Sequence, residues 1–236
     1  MKALIFAAGL GERMRPLTDH TAKPLLPVAG KPLIAWHLDK LAALGVREVV
    51  INTSWLAEQF PQVLGDGAQW GLKLHYSYEG TRPLETGGGM LHALPLLGDQ
   101  PFLLVNGDIW TDFDFARLPR EPAGLAHLVM VDRPPQATQG DFALDDDGHV
   151  RSDGEHRLTY SGLGIYRPQL LQDWHAHTQD AGAAETPPRF RLAPILRAHM
   201  DAGRITGEHH RGRWTDVGTP QRLATLDAEL KAELTS

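Results

Sequence analysis

The chain contains no cysteine. That excludes disulfide frameworks, thiolate zinc sites and cysteine nucleophiles together, and leaves only hard, oxygen-ligated cations open. An excess of positive charge is also missing: 23 Lys and Arg stand against 29 Asp and Glu, a formal charge of −6. A reader of the nucleic-acid backbone needs a basic face, so no nucleic-acid partner is expected and any phosphate chemistry must be local. Long apolar runs are absent as well. The first, Ala3 to Ala8, is too short for the apolar region of a signal peptide, and no stretch reaches the length of a membrane span. A cytoplasmic protein with no membrane partner is expected. No internal repeat or low-complexity tract occurs. At 236 residues, with 42% hydrophobic and 22% charged residues, the expectation is one domain over 1–236 with a substantial core.

What is present starts with the segment Met1 to Ile34, MKALIFAAGLGERMRPLTDHTAKPLLPVAGKPLI. An apolar run of buried-strand character breaks on Gly9 and Gly11. A glycine-rich turn leaving a strand exposes backbone N–H groups that can cradle phosphate, because no Cβ holds the anion away. Arg13 and Arg15 follow at once, and Lys23 stands in chain stiffened by Pro16 and Pro24. The segment is not a P-loop, since Glu12 and Arg13 follow Gly11 where Lys and Ser or Thr are needed. Nor is it a dinucleotide fingerprint, because Met14 replaces the third glycine. Taken alone, GxG is a weak signal and a plain turn is the favoured reading.

Pro32 to Leu44 has helical spacing with Gly45 as its stop, and Val49 to Ile51 marks a strand covered on both faces, so a βαβ unit and a parallel sheet are expected. Trp55 to Leu64 reads as a short helix and Leu72 to Tyr78 as a strand. In EGTRPLETGGGM, Glu79 to Met90, three consecutive glycines permit close approach of a flat ligand ahead of a helix from Met90 to Leu97. The strand Phe102 to Val105 ends in Asn106-Gly107-Asp108, and an aspartate there can hold a cation against bound phosphates, although an Asx turn uses the same residues. Asp112 and Asp114 read as solvated turn residues. Beyond Pro119 the pattern turns antiparallel: strands at Leu125 to Val131 and Leu158 to Tyr166, and a hairpin over Phe142 to Val150 turning on Asp145-Asp146-Asp147-Gly148. Helices are expected at Gln169 to Thr178 and Leu192 to Ala202. His175, His177, His209 and His210 form pairs without a third ligand in frame, which favours structural roles over zinc. In RWTDVGTP, Arg213 to Pro220, a strand ends at Asp216 and Thr219 caps a final helix running to about Leu234, with Pro220 in its first turn.

The whole string AAGxGxRxxPLT followed by KPLLPVAGKPLI resembles the signature of the sugar-phosphate nucleotidyltransferases. The resemblance implies an α/β fold of Rossmann-like, GT-A-like type: a mixed, mainly parallel central sheet flanked by helices, with a small antiparallel sugar-binding part. It further implies a nucleotide-binding half over 1–118 and a sugar-phosphate-binding half with the C-terminal helix over 119–236. By the same resemblance Ala8, Gly9, Gly11, Glu12 and Arg13 hold the triphosphate, and Lys23 bridges the reacting phosphates. Asp108 and Asp216, the latter in W-x-D-x-G-T, hold Mg2+. The base lies near Glu79, Glu85, Thr86, Gly87 and Gly88, with Glu85 where the family's PLGTAGA has glycine. The sugar phosphate meets Lys23, Asn106, Ser161 and Gly162, the last two in a Y-x-G-(I/L) stretch. The family's Glu-Lys-Pro is replaced by Arg151-Ser152-Asp153-Gly154-Glu155, so its lysine contact needs another source.

Some relatives append a β-helix, for which there is no room after Asp216, so a stand-alone catalytic domain is expected. Within the family, the chain looks most like the members that join UTP to N-acetylmuramate 1-phosphate in cell-wall recycling. A lactyl carboxylate needs a cation, and Arg151, Arg189 and Arg191 are candidates. Mannose-1-phosphate guanylyltransferases and glucose-1-phosphate thymidylyl- or uridylyltransferases are the rival members. A non-catalytic nucleotide-sugar-binding regulatory subunit is the rival from another class. Nothing in the sequence sets the oligomeric state.

Overall fold

The structure is a computed structural model and describes residues 1–235. β1 (Lys2–Phe6) runs into the glycine loop, then through single 3-10 turns into a short hairpin of β2 (Pro27–Val28) and β3 (Lys31–Pro32). Next come α1 (Leu33–Ala43), β4 (Glu48–Thr53), α2 (Gln59–Leu64), β5 (Lys73–Tyr78), α3 (Glu85–Leu97), β6 (Phe102–Asn106) and β7 (Ile109–Thr111). The rest comprises β8 (Ala126–Val131), β9 (Phe142–Leu144), β10 (Val150–Arg151), β11 (Arg157–Tyr166), α4 (Ala193–Asp201), β12 (Ile205–His210), β13 (Trp214–Asp216) and α5 (Pro220–Leu234).

β5, β4, β1 and β6 lie side by side and parallel. On the far side of β6 comes β11, antiparallel, and it also pairs with β8 and β9; β12 joins β8 in parallel and β10 joins β9. β7 and β13 form a separate antiparallel pair. The chain leaves β1 for β4 and β5 on one side, then returns through α3 to β6 on the other. Strand order therefore reverses between β1 and β6, where open α/β sheets leave a crevice at the carboxyl ends of their strands.

The uninterrupted apolar runs follow from burial of both sheet faces. Ala3, Ile5, Val49, Ile51, Leu103 and Val105 join one core with α1, while Leu4, Val50, Phe102 and Leu104 join another with α3 and α4. A third cluster seats Leu223, Leu226 and Leu230 of α5 against Met14, Val28 and Leu33. Among the described residues, no helix is long and apolar enough to cross a membrane.

Three local expectations are corrected. The region Gln169 to Thr178 is not a helix but two 3-10 turns, Pro168–Leu171 and Trp174–Ala176. Leu170, Leu171 and Trp174 fill one turn's worth of apolar face and nothing apolar continues it, while the Trp174 ring is held on Phe190 at 4.2 Å between centroids. The helix expected from Trp55 begins only at Gln59. Asp112 is not merely a solvated turn residue, since it accepts from His210 Nε2 at 2.7 Å and from the Arg213 N–H at 2.9 Å, tying β7 to the chain between β12 and β13.

α1 fixes β7 from below. His37 Nε2 donates to the Ile109 carbonyl at 2.9 Å, and Lys40, one turn on, donates to the carbonyls of Thr111 and Phe113 at 2.7 and 2.9 Å. Burial, only partly offset by the Ile109 bond, holds the His37 imidazole down from its ordinary 6.5 to about 4. His37 is therefore neutral in the folded chain, and between those two values the unfolded chain takes up a proton that the folded chain refuses. Stability is intact above about pH 6.5 and falls by about 3 kcal/mol as pH drops toward 4. Urea midpoints at pH 7.5 and 4.5 should show this loss, and His37→Gln, which keeps a donor for Ile109, should lose about 2–3 kcal/mol less. The same pH dependence in both proteins would count against the assignment.

Candidate active site

β1 and β6 are in register with Phe6 opposite Asn106, and the Gly107 N–H donates to the Phe6 carbonyl at 2.8 Å, which carries the ladder one residue past the strand ends. The glycine loop and Asn106-Gly107-Asp108 therefore leave the sheet together. Over them opens a cavity of about 640 Å³. Its walls include Ala8, Gly9, Gly11, Glu12 and Arg13 of the loop, then Lys23, Asn106 and Asp108, and on the far side Glu79, Glu85 and Thr86. Lys23 Nζ lies 2.7 Å from Asp108 Oδ2, with the lysine side chain only 11% exposed. Among the described residues, the backbone N–H groups from Gly9 to Arg13 have no acceptor; the turn is closed instead by Met14 N–H to Gly11 O at 2.8 Å and by the Thr18 hydroxyl to the same oxygen. Donors left open beside a buried ammonium suit an anionic ligand.

A buried chain of polar groups sets the width of this cavity. The Ala7 N–H donates to Asn52 Oδ1 at 2.6 Å, Asn52 Nδ2 to Glu79 Oε1 at 2.6 Å, and the Leu84 N–H to Glu79 Oε2 at 2.7 Å. The start of the glycine loop is thereby fixed to the segment across the cavity. Burial pushes the Glu79 carboxyl up, opposed by these two hydrogen bonds. Asn52 was not foreseen, yet it stands at the end of an apolar strand as Asn106 does. A polar amide closing a buried run was the available signal.

Asp216 comes beside Asp108 through β13. It faces Ile109 across the β7–β13 pair, and the Val217 N–H donates to the Asp108 carbonyl at 2.8 Å. Arg222 of α5 donates to Asp216 Oδ1, as does Gln136 Nε2 at 3.1 Å. Each aspartate thus has one carboxylate oxygen engaged by a protein donor, while Asp108 Oδ1 and Asp216 Oδ2 accept no hydrogen bond from the described residues. Two hard oxygens on neighbouring backbone positions fit a magnesium ion, which completes its shell with waters and phosphate oxygens rather than with a protein cage. No group of three or more His, Asp or Glu gathers as ligands among the described residues. His37, Lys40 and Arg222 stabilise this corner without having been singled out; a polar residue inside the apolar stripe of α1 was the visible hint.

Four residues expected at the ligand make close contacts within the protein. Gly87 and Gly88 lie inside α3, both N–H groups donate to the Phe190 carbonyl at 2.9 and 3.0 Å, and a Cβ on either would strike Phe190 or the Pro188 carbonyl. The glycines admit a neighbouring segment of chain. Gly162, at φ 81, gives its space to Asn106, whose side-chain amide would lie 2.5 Å from a Cβ there. The Ser161 hydroxyl accepts from the Leu163 N–H at 3.2 Å and its carbonyl from Trp214 Nε1 at 2.9 Å, so it anchors β13. Both residues sit in a bulge of β11, where the register with β8 shifts between Tyr160 and Gly164. Glu85 adopts φ 64, a left-handed conformation that glycine takes more readily than a residue with a Cβ, and its neighbour Thr86 accepts the Leu192 N–H at 2.9 Å.

The fold and the sequence have close counterparts. HddC from Yersinia pseudotuberculosis, solved in complex with GMP-PN, superposes with a TM-score of 0.77 at 19% identity over 98% of this chain and 99% of that chain, a likeness of fold. The chain is 34% identical over 243 residues to the N-acetylmuramate alpha-1-phosphate uridylyltransferase of Caulobacter vibrioides, covering 97% of this chain and 96% of that one. It is 49% identical over 235 residues to the protein of the same name from Neisseria meningitidis serogroup B, strain MC58, covering 97% of each. Residues 2–233, from the first strand to the last helix, match the Nucleotidyl transferase family, to which this chain belongs.

Proposed function

We propose that the chain transfers the uridylyl group of UTP to N-acetylmuramate 1-phosphate, forming the UDP-sugar and releasing pyrophosphate, in the cytoplasm and as part of cell-wall recycling. The observation that carries the reaction class is the meeting of the open loop amides with Lys23 and Asp108 in one cavity, with Asp216 paired alongside. UTP and muramate are chosen because both uridylyltransferase relatives match along nearly their whole length.

A phosphate oxygen of the sugar 1-phosphate attacks the α-phosphorus in line; the new P–O bond forms as the bond to the β-phosphate oxygen breaks, and pyrophosphate leaves with the electron pair. The attacking oxygen is already anionic, so no general base is required. The work of the protein is to hold two polyanions together. The amides from Gly9 to Arg13 and the Arg13 guanidinium bind the triphosphate, and Lys23, largely shielded from water, sits between the reacting phosphates. Asp108 and Asp216 would hold magnesium, whose positive charge would offset the negative charge spread over the phosphate oxygens. Asn52 and Glu79 keep the loop at its distance from the base-facing wall.

Pyrophosphate release from a matrix of nucleoside triphosphates and sugar 1-phosphates tests the reading. UTP with N-acetylmuramate 1-phosphate should give the highest kcat/KM. GTP with mannose 1-phosphate as the best pair would overturn the substrates, and nucleotide-sugar binding without turnover of any pair would overturn catalysis in favour of a regulatory subunit.

A further inference from the structure

Three arginines could meet a carboxylate on the sugar, and the structure separates them. Arg151 donates through Nε to Asp145 Oδ2 at 2.9 Å, on the hairpin of β9 and β10. Arg191 grips both oxygens of Asp180, the shortest contact being 2.8 Å. Neither lines the cavity. Arg189 does. Its guanidinium is poorly satisfied: Nε is buried with no partner, and Nη2 reaches Glu185 Oε1 only at 3.4 Å. That same oxygen serves a second cation of the cavity wall, Arg82, at 3.5 Å. One carboxylate oxygen thus stands between two guanidinium groups at the outer limit of contact with each, and buried donors are seldom left in that condition without a function.

The position is also built rather than incidental. Gly182 lies flat against Arg189, where a Cβ would sit 3.0 Å from Cζ, and the Arg189 N–H donates to the Gly182 carbonyl at 2.9 Å. The next residue, Phe190, receives the N–H groups of Gly87 and Gly88, which fixes the arginine to the start of α3 beside Thr86. A planar fork anchored in this way matches the two oxygens of a carboxylate in a manner that an ammonium cannot.

We propose that Arg189, with Arg82 beside it, is the specificity determinant for an acidic sugar phosphate: it receives the substrate's lactyl carboxylate, which takes over the role now shared out by Glu185. The inference rests on the muramate reading above. It is tested with the full chain and two substrates that differ in the lactyl group, N-acetylmuramate 1-phosphate and N-acetylglucosamine 1-phosphate, with UTP held saturating. In the unaltered protein the muramate must be turned over and preferred; its failure to react would overturn the functional reading and this assignment together. Arg189→Gln should lower the ratio of kcat/KM for muramate over glucosamine by about tenfold or more, mainly through KM for the muramate, in keeping with loss of a charged hydrogen bond. Arg189→Lys should recover part of that ratio. Arg191→Gln, at a guanidinium already satisfied by Asp180, should leave it unchanged. A preserved muramate preference in Arg189→Gln, an equal loss on both sugars, or the same change in Arg191→Gln would overturn the assignment while leaving the reaction itself standing.

Discussion

Asp108→Asn is expected to reduce magnesium-dependent pyrophosphate release by about a thousandfold, since removing one preorganised charge at a reacting phosphate commonly costs two to three orders of magnitude. The change is nearly isosteric and keeps an oxygen for Lys23 Nζ, now 2.7 Å from Oδ2, so the lysine remains in place. What disappears is the negative charge next to Asp216. The Asp108 side chain is 39% exposed, so the effect on unfolding should be small, about 1 kcal/mol. The decisive comparison is initial rate against magnesium concentration, alongside a urea melt. A variant that keeps full activity, or one that is inactive because it has unfolded, would remove Asp108 from the proposed mechanism.

Lys23→Met should have the next largest effect, a fall of about a hundredfold or more in kcat. Methionine retains the stem's apolar packing and loses only the ammonium. Because Lys23 is placed between the two phosphates as they approach, its loss should be felt in the transition state more than in the binding of either substrate, so KM should change less than kcat. If both KM values rose and kcat stayed level, Lys23 would be a general phosphate anchor and its bridging role would be wrong. Lys23→Arg should rescue little. The stem passes close to the glycine loop, with Lys23 Cβ 3.4 Å from where a Cβ on Gly11 would lie, and a planar fork cannot take the same point position.

The parallel half was legible because Val49 to Ile51 and Phe102 to Val105 are buried on both faces, which leaves an apolar run with sharp ends. Asp108 and Asp216 were legible for a related reason: each stands where a short strand meets a glycine, and backbone pairing brings those ends together. The packing role of the glycines of α3 was not legible, because a gap in side-chain volume has the same spelling whether a ligand or the chain itself fills it; Phe190 and Pro188 pack there. The same holds for Gly162 and Ser161, which Asn106 and Trp214 meet from distant parts of the chain. Asn52, His37 and Lys40 act through partners 27 to 73 positions away on other elements, and no local period records such pairings.

Strand β11 has a consequence for how the molecule comes apart. Gly164, Ile165 and Tyr166 are paired on one edge with β6 and on the other with β8. Withdrawing either neighbour strips one side of the same three residues and uncovers cores on both faces of the sheet, so the parallel and antiparallel parts of the sheet are not separate cooperative units. Unfolding should therefore be all-or-none, and there should be no partly melted chain that keeps a formed glycine loop while having lost its antiparallel strands.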